Sequence, residues 1–230
     1  MIASCQELVW AHHILSHLGM DDHTYTHLSI RSSAGNSYYL NAFGMRFEEA
    51  CLDSLVHVSL DGEVLSDNEK IYNPTAYHTH GTIYKHRKDV NAIFHMHTPE
   101  IVAVSCQPEG LLMASQWALH FYNQIAYHDY NSLIVKSEQG LKLVDDLGMH
   151  KILLMRHHGA LIAGSTIYEA MFFSYHLQQA CKTQCLLKCN HLTLDESLIK
   201  SANYDLLRFE KNIGKRDWDA WLRMLCQKKS

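Results

Sequence analysis

The stretch VNAIFHMHTPEIVAVSC, residues 90–106, contains the pattern that decides the fold. Its first half, VNAIFHMH, is a continuous apolar run, which is typical of a strand buried on both faces of a sheet. Its second half begins with Thr98 and Pro99, residue types that favour the N-cap and the first turn of a helix. The stretch therefore predicts a buried strand at residues 90–97 that leads directly into a helix at residues 98–106.

A similar succession of strands and helices extends along the chain in both directions. Amphipathic periodicity and a capping-box pattern, Ser4 with Glu7, predict a first helix that ends at Gly19. The other predicted strands lie at 27–31, 37–41, 54–65 with a hairpin turn at Asp61-Gly62, 132–135 and 151–159. The other predicted helices lie at 72–87, at 138–148, from Thr166 towards Cys189, and at 218–225.

The predicted elements form one unit, because no internal repeat, low-complexity tract or linker separates them. We expect a single α/β domain over residues 1–230, with a helical tail over about residues 195–230. The spacing of the first strands favours a mainly antiparallel sheet with helices on its faces.

The composition excludes several classes of function. The chain has 230 residues, 47% of them hydrophobic, and a net charge of -4, so neither nucleic acid nor an anionic membrane surface is an expected partner. No apolar run approaches the roughly 18 residues of a membrane span, and the N-terminus does not resemble a signal peptide. The seven cysteines are an odd number without paired spacing, which argues against a disulfide framework. We therefore expect a reduced, soluble, cytoplasmic protein.

Histidine is unusually frequent, with 18 residues, and two of them end the strand at 90–97. His95 and His97 point to the same face because side chains alternate along a strand. The strand at 151–159 also ends in histidines, His157 and His158, before a glycine. Two such strands can supply three imidazoles and leave a fourth position open, which is the arrangement of a catalytic zinc site. The alternative is that these are ordinary hydrogen-bonded histidines that bind no metal. For His80, in the predicted helix at 72–87, a structural hydrogen-bonding role of this kind is the expected one.

Several motifs together resemble the class II aldolase/adducin family. They are HMHTP (95–99), AYHDY (126–130), RHHGAL (156–161) and the earlier pieces LNAFGM, SLVHVSLDGEVL and NPTAYHTHGTIY. The likeness covers nearly the whole chain and is nearer to the adducin-head-like branch than to L-fuculose-phosphate aldolase. It implies a three-layer α/β/α fold around a largely antiparallel sheet, and a homotetramer with sites between subunits. It also implies a Zn²⁺ ion held by His95, His97 and His158, with Fe²⁺ or Mn²⁺ as other possible divalent ions.

The chain departs from the aldolases at the positions that serve catalysis and phosphate binding. The resemblance places the acid/base glutamate of the aldolases at Ala76, whose methyl group carries no proton. It also implies substrate contacts from four positions: Ser29, Asn41, Gly44 and Thr75. A bulky Phe43 occupies the loop where a small hydroxyl residue would suit a phosphate. A standard sugar-phosphate aldolase is therefore not the expected activity.

Three hypotheses about function follow. The first is a divalent-metal-dependent lyase that acts on a small oxygenated carbonyl substrate by retro-aldol cleavage or decarboxylation. Its proton carrier would be His80, Glu100 or a tyrosine of a neighbouring subunit, and the sequence does not choose between them. The second is a non-catalytic, adducin-like assembly or binding module. The third is a histidine-ligated iron oxygenase, since imidazole also suits iron.

Overall fold

A seven-stranded sheet forms the centre of the computed structural model, which describes residues 2–66, 70–188 and 191–227. The strands are β1 (His27–Arg31), β2 (Ser37–Asn41), β3 (Leu55–Ser59), β4 (Ala92–Met96), β5 (Ile125–His128), β6 (Ile152–Met155) and β7 (Gly159–Gly164). Their order across the sheet is β3-β2-β1-β4-β7-β6-β5. All neighbouring pairs are antiparallel except β5 and β6, which are parallel. The prediction of a mainly antiparallel sheet is confirmed.

Helices cover both faces of the sheet. They are α1 (Ile2–His17), α2 (α-helical Pro74–Ala76, π-helical Tyr77–Gly81 and α-helical Thr82–His86), α3 (Pro99–Ser105), α4 (Gln116–Leu119), α5 (Ser137–Leu147), α6 (Ile167–Leu186), α7 (Glu196–Arg208) and α8 (Lys215–Gln227). One apolar cluster joins the sheet to α1, α3 and α6, and a second joins it to α2 and α5. The α/β class and the three-layer α/β/α arrangement are therefore confirmed. The predicted helical tail consists of α7 and α8, and α8 packs on α1 and α6.

Both faces of β4 are buried, which explains its unbroken apolar sequence. Phe94 and Met96 belong to the cluster beneath α1 and α6, whereas Ile93 belongs to the cluster beneath α2 and α5. Because side chains alternate along a strand, His95 and His97 share the face of Ile93. The two histidines are thus directed towards the side of the sheet that α2 and α5 cover.

Strands β4 and β6 run in the same direction, because each is antiparallel to β7, which lies between them. Their carboxyl ends therefore meet at one edge of the sheet. His97 follows the end of β4, and His158 lies in the turn that follows β6. The topology brings together two segments of the chain that are distant in sequence.

The prediction of a strand at 132–135 is wrong. Leu133 and Val135 are 61% and 44% exposed, and the segment lies outside the sheet. The place beside β6 is taken by β5 instead, a strand that is not predicted from the sequence. In β5 the side chains of Ala126 and His128 are buried and Tyr127 is exposed, so β5 has the alternation of an edge strand.

Other element boundaries also differ from expectation. Helix α1 begins at Ile2, so Ser4 is not its N-cap. The second half of the predicted 54–65 hairpin forms only an isolated bridge between Val58 and Val64. The predicted strand at 151–159 ends at Met155, and a further strand, β7, begins at Gly159. Strand β7 contains two glycines and two alanines, so its sequence has little strand signal. At least one of these small residues is required by packing, because a Cβ at Gly164 would lie 2.7 Å from the Ala170 backbone nitrogen.

The predicted start of the long helix α6 at Thr166 is confirmed. The Thr166 hydroxyl accepts the Glu169 backbone N–H at 3.1 Å. The helix ends at Leu186, and Cys189, towards which it was predicted to extend, lies outside the described residues. Within the described ranges, no helix combines the length and apolar character needed to cross a bilayer.

A buried histidine in α1 should make the protein less stable in acid. His12 is fully buried, its Nδ1–H donates to the Leu8 carbonyl at 2.7 Å, and its Nε2 has no hydrogen-bond partner among the residues that the structure describes. Burial lowers the pKa of His12 to about 4. Since the unfolded state takes up this proton near pH 6.5 and the folded state does not, stability falls as pH drops from about 6.5 towards 4.

We expect this histidine to contribute about 3 kcal/mol of destabilisation across that pH window. Urea denaturation at a series of pH values measures it as the difference between the wild type and His12→Leu, which cannot titrate. A variant that keeps the full wild-type pH dependence of unfolding would show that other groups cause it.

Candidate metal centre

Three histidine side chains converge at the carboxyl edge of β4 and β6. The Nε2 atom of His95 lies 2.7 Å from Nε2 of His97 and 3.3 Å from Nε2 of His158. Each residue presents one ligand atom, and these atoms all lie within 4.8 Å of one another. The structure thus places together the three residues that the sequence resemblance marked as metal ligands.

The turn between β6 and β7 aims His158 into this cluster and leaves His157 outside it. His157 has a φ of +59° and an exposed side chain. Histidine is among the residue types that adopt this left-handed conformation most readily. The sequence pattern alone did not distinguish His157 from His158 as the third member, and the turn conformation does so.

Hydrogen bonds on the other ring nitrogens fix the orientation of two of these rings. His95 Nδ1–H donates to the Ala160 carbonyl at 3.0 Å, and His97 Nδ1–H donates to the Asp22 carboxylate at 3.1 Å. The proton on each Nδ1 leaves a lone pair on each Nε2, so two lone pairs face each other at 2.7 Å. A cation between them would turn this repulsion into attraction. Outer hydrogen bonds of this kind are typical of metal-bound histidines.

The three rings are held in their neutral form, the form that binds metal ions. Burial, and then the neighbouring His97, hold the pKa of His95 well below its usual value. The same two causes lower the pKa of His158 to about 4. Burial also lowers the pKa of His97, although the Asp22 carboxylate opposes that shift. The donor set therefore fits a divalent cation.

The histidine cluster forms part of the wall of a cavity of about 420 Å³. Polar side chains from two neighbouring segments also line it: Thr24, Asn73, Thr75 and Thr79. Its apolar wall consists of Tyr25, Phe43, Leu133 and Ile134. Among the described residues that line it there is no lysine or arginine. The cavity can therefore admit a small molecule, but it offers a phosphate no cationic side chain.

The four expected substrate-binding residues occupy three different places. Thr75 lines the cavity, whereas Asn41 and Gly44 line a smaller adjoining pocket. Ser29 is fully buried beneath the cavity, where its hydroxyl contacts His80 and Tyr84. Only Thr75 thus lies on the same surface as the histidine cluster.

The candidate proton carriers are also separated from the cavity wall. His80 is fully buried and hydrogen-bonded, in agreement with the structural role assigned to it. Glu100 lies on α3, where its carboxylate accepts a hydrogen bond from Gln178 at 2.8 Å. Ala76 is fully buried. Neither His80 nor Glu100 is among the residues that line the cavity.

The family model for the class II aldolase and adducin N-terminal domain matches residues 6–185, most of the chain. The chain belongs to the class II aldolase and adducin family. The predicted family is thereby confirmed, and adducins and aldolases both appear among its relatives.

This class II aldolase/adducin member is similar to proteins of two kinds. It is 34% identical over 185 residues to a Pseudomonas aeruginosa protein whose name places it among class 2 aldolases. The matched residues make up 80% of this chain and 69% of that protein. It is also 34% identical over 165 residues to rat alpha-adducin, covering 70% of this chain and 22% of the adducin. The chain therefore corresponds to about a fifth of an adducin.

Solved structures confirm the class II aldolase fold. An aldolase II superfamily protein from Pseudomonas syringae has a TM-score of 0.90 at 29% identity, with 98% of this chain and 93% of that chain covered. L-fuculose 1-phosphate aldolase from Glaciozyma antarctica has a TM-score of 0.85 at 23% identity, with 96% and 87% covered. The second likeness concerns the fold alone.

Among the histidines that line the cavity of this family member, His27 was not predicted as a site residue from the sequence. His27, the first residue of β1, pairs with His95 across the sheet, and their ring centroids lie 5.0 Å apart. Its side chain lines the same cavity as the three converging histidines. Alternation along β1 places His27 on the face of Ser29, but only the register with β4 brings it beside His95.

Proposed function

We propose that this chain is a divalent-metal-dependent lyase acting on a small oxygenated carbonyl substrate by retro-aldol cleavage or decarboxylation. The observation that carries the proposal is the convergence of three neutral imidazoles on the wall of a cavity large enough for a small molecule. Membership of a family that includes aldolases supports the same reading. A protein that needed only the fold would not require such a donor set.

In this proposal His95, His97 and His158 hold the ion through their Nε2 atoms. Zn²⁺ is the preferred candidate, because it takes three protein ligands and keeps an open position in catalytic sites, and imidazole also suits Fe²⁺ or Mn²⁺. The bound ion would supply Lewis-acid polarisation of a carbonyl oxygen. The Ala160 carbonyl and the Asp22 carboxylate keep two of the rings in the required orientation.

We propose a substrate without a phosphate group. The cavity wall carries no lysine or arginine within the described part of the chain, and Phe43 and Tyr25 supply apolar surface there. Ala76 provides no carboxylate for the proton transfer that its aldolase counterpart performs. Small keto or hydroxy acids fit these properties better than sugar phosphates do.

We also propose that the protein works in the cytoplasm as a homo-oligomer, with a tetramer as the expected state. Tyr25 and Leu133, on the cavity wall, are 69% and 61% exposed in the single chain. Large exposed apolar side chains that adjoin one another mark contact surfaces. A neighbouring subunit could cover them and bring a further group to the cavity.

A second candidate function is an adducin-like binding module without catalysis. The buried methyl group of Ala76 and the 34% identity to rat alpha-adducin favour it. An iron oxygenase is a weaker third candidate, which bound iron together with substrate-dependent consumption of oxygen would distinguish from the lyase. In the module, the three converging histidines are structural or hold a structural ion. The lyase proposal is preferred because it also gives a role to the cavity that these imidazoles line.

The lyase proposal is tested by metal analysis of the purified protein, followed by a substrate screen. Small hydroxy and keto acids, aromatic hydroxy acids and sugar phosphates would be incubated with metal-loaded protein, chelated protein and His97→Ala. Metal-dependent carbon–carbon cleavage that chelation and His97→Ala both remove supports the proposal. Protein that neither contains nor takes up a divalent ion would overturn it and leave the binding module.

The hydrogen bond from His97 to Asp22 should strengthen metal binding. We expect Asp22→Ala to weaken the affinity for Zn²⁺ by about tenfold, because it releases the His97 ring from its fixed orientation. Competition with a chromophoric chelator measures the change. Asp21→Ala is the matched control, since it removes the neighbouring carboxylate, and equal losses in both variants would attribute the effect to charge alone.

A further inference from the structure

A chain of hydrogen bonds runs from the interior to the cavity beside the metal centre. The Tyr84 hydroxyl lies 2.9 Å from Ser29 Oγ, which lies 2.7 Å from His80 Nδ1. His80 Nε2 lies 3.0 Å from His27 Nδ1, and His27 Nε2 lies 3.4 Å from Thr75 Oγ1. Tyr84, Ser29 and His80 are fully buried, whereas His27 and Thr75 line the cavity. This series of hydrogen bonds therefore ends at the surface where a substrate would bind.

The cavity end of the chain fixes its direction. The Asn73 side-chain oxygen accepts the Thr75 backbone N–H at 3.0 Å, which identifies that atom as the carbonyl oxygen. An amide oxygen only accepts, so the Thr75 hydroxyl, 2.9 Å away, must donate to it. The Thr75 oxygen is then left to accept a hydrogen bond from His27. His27 consequently carries its proton on Nε2.

The interior end gives the same direction. The Tyr84 hydroxyl is buried, so its proton needs an acceptor: the Ile93 backbone N–H near it can only donate, whereas the Ser29 hydroxyl, 2.9 Å away, can accept. If Tyr84 donates to Ser29, the Ser29 hydroxyl donates to His80 Nδ1, and His80 Nε2–H donates to His27 Nδ1. The opposite direction would leave the Tyr84 proton without an acceptor.

The helix that contributes His80 has an unusual local geometry. His80 lies in the π-helical segment Tyr77–Gly81 of α2, between two α-helical segments. Single π-helical turns are rare and occur frequently at functional sites, because they change the direction of the side chains that they contain. Here the segment holds His80 under His27, while Thr75 and Thr79 of the same helix line the cavity.

We propose that His27 is a substrate-binding residue that determines specificity. The series of hydrogen bonds that begins at Tyr84 keeps the His27 proton on Nε2, where it is donated to an acceptor oxygen of the substrate. The contact to Thr75, at 3.4 Å, is long enough to be exchanged for a shorter bond to a ligand. The chemical class that this donor selects is a small acid or ketone with a carboxylate or carbonyl oxygen beside the metal centre. The role towards substrate rests on the proposed function, whereas the locked tautomer does not.

The tautomer is tested by NMR on metal-free protein with ¹⁵N-labelled histidine, and His27→Gln identifies the His27 signals by their loss. We expect the Nε2–H tautomer in the wild type. Ser29→Ala should produce a mixture of tautomers, whereas Ser29→Thr should keep the wild-type pattern because it retains the hydroxyl. Tyr84→Phe provides a second break in the chain. The Nδ1–H tautomer in the wild type, or identical spectra for the alanine and threonine variants, would overturn the proposal.

The role towards substrate is tested with oxalate as the probe, titrated into Co²⁺-loaded protein and followed by the visible spectrum of the ion. His27→Leu should weaken oxalate binding by about tenfold, and His27→Gln, which keeps an N–H donor, by less than about threefold, with equal metal content. Unchanged affinity in His27→Leu would exclude the donor role. Protein that takes up no Co²⁺ would instead remove the proposed function, while the NMR result still decides the tautomer.

Discussion

The His95→Ala variant should purify without its divalent ion, whereas the wild type should contain about one ion per chain. His95 is the member whose Nε2 lies within 3.3 Å of both other nitrogens, so its loss removes the centre of the donor set. Two imidazoles of the donor set, those of His97 and His158, then remain, too few for the three protein ligands that catalytic zinc sites use. Elemental analysis of protein dialysed against metal-free buffer measures the change.

His157→Asn is the matched control for this experiment. It removes the histidine that adjoins His158 in the same turn, and asparagine adopts a positive φ readily. We expect its metal content to equal that of the wild type. An ion retained by His95→Ala, or lost equally in both variants, would place the binding site elsewhere.

Gly159→Ala should destabilise the protein by about 3 kcal/mol or more. An added Cβ would overlap the Met96 backbone oxygen and lie 3.0 Å from Cδ2 of the His97 ring. Since the first of these atoms belongs to the backbone of β4, no change of side-chain rotamer relieves the overlap. Strands β4 and β7 must move apart, and His97 moves with them. Urea denaturation measures the loss of stability, and metal titration measures the effect on the centre.

Gly35→Ala separates this steric effect from the general cost of replacing glycine. Gly35 has a φ of +77°, and no heavy atom in the described part of the chain lies within 4 Å of an added Cβ. Its replacement should cost about 1 kcal/mol of backbone strain and leave metal binding unchanged. Equal losses of stability at both positions would mean that the close approach of β4 and β7 is unimportant.

Elements with a strong local pattern could be predicted from the sequence. The runs HLSIR and SYYLN occupy β1 and β2 with the predicted limits. The strand-to-helix stretch at 90–106 forms β4 and α3, and alternation along β4 places His95 and His97 on one face. These features depend on neighbours in sequence, which is why a single chain is sufficient to predict them.

Features that depend on distant pairing could not be predicted in this way. The runs at 125–128 and 132–135 are both short and apolar, and only the edge of the sheet beside β6 selects the first. The position of His27 beside His95 depends on the register of β1 with β4, between segments 68 residues apart in sequence. The π-helical turn at Tyr77–Gly81 leaves no periodic signal over so short a segment.

The parallel course of β4 and β6 on either side of β7 makes the candidate metal centre a property of the folded state. His95 and His158 are 63 residues apart in sequence, so no short fragment of the chain presents the full donor set. An ion that binds the native state and not the unfolded chain adds to stability by mass action, about 2.7 kcal/mol when its free concentration is 100 times its dissociation constant. The resistance of the protein to thermal unfolding would then depend on the supply of metal in its surroundings.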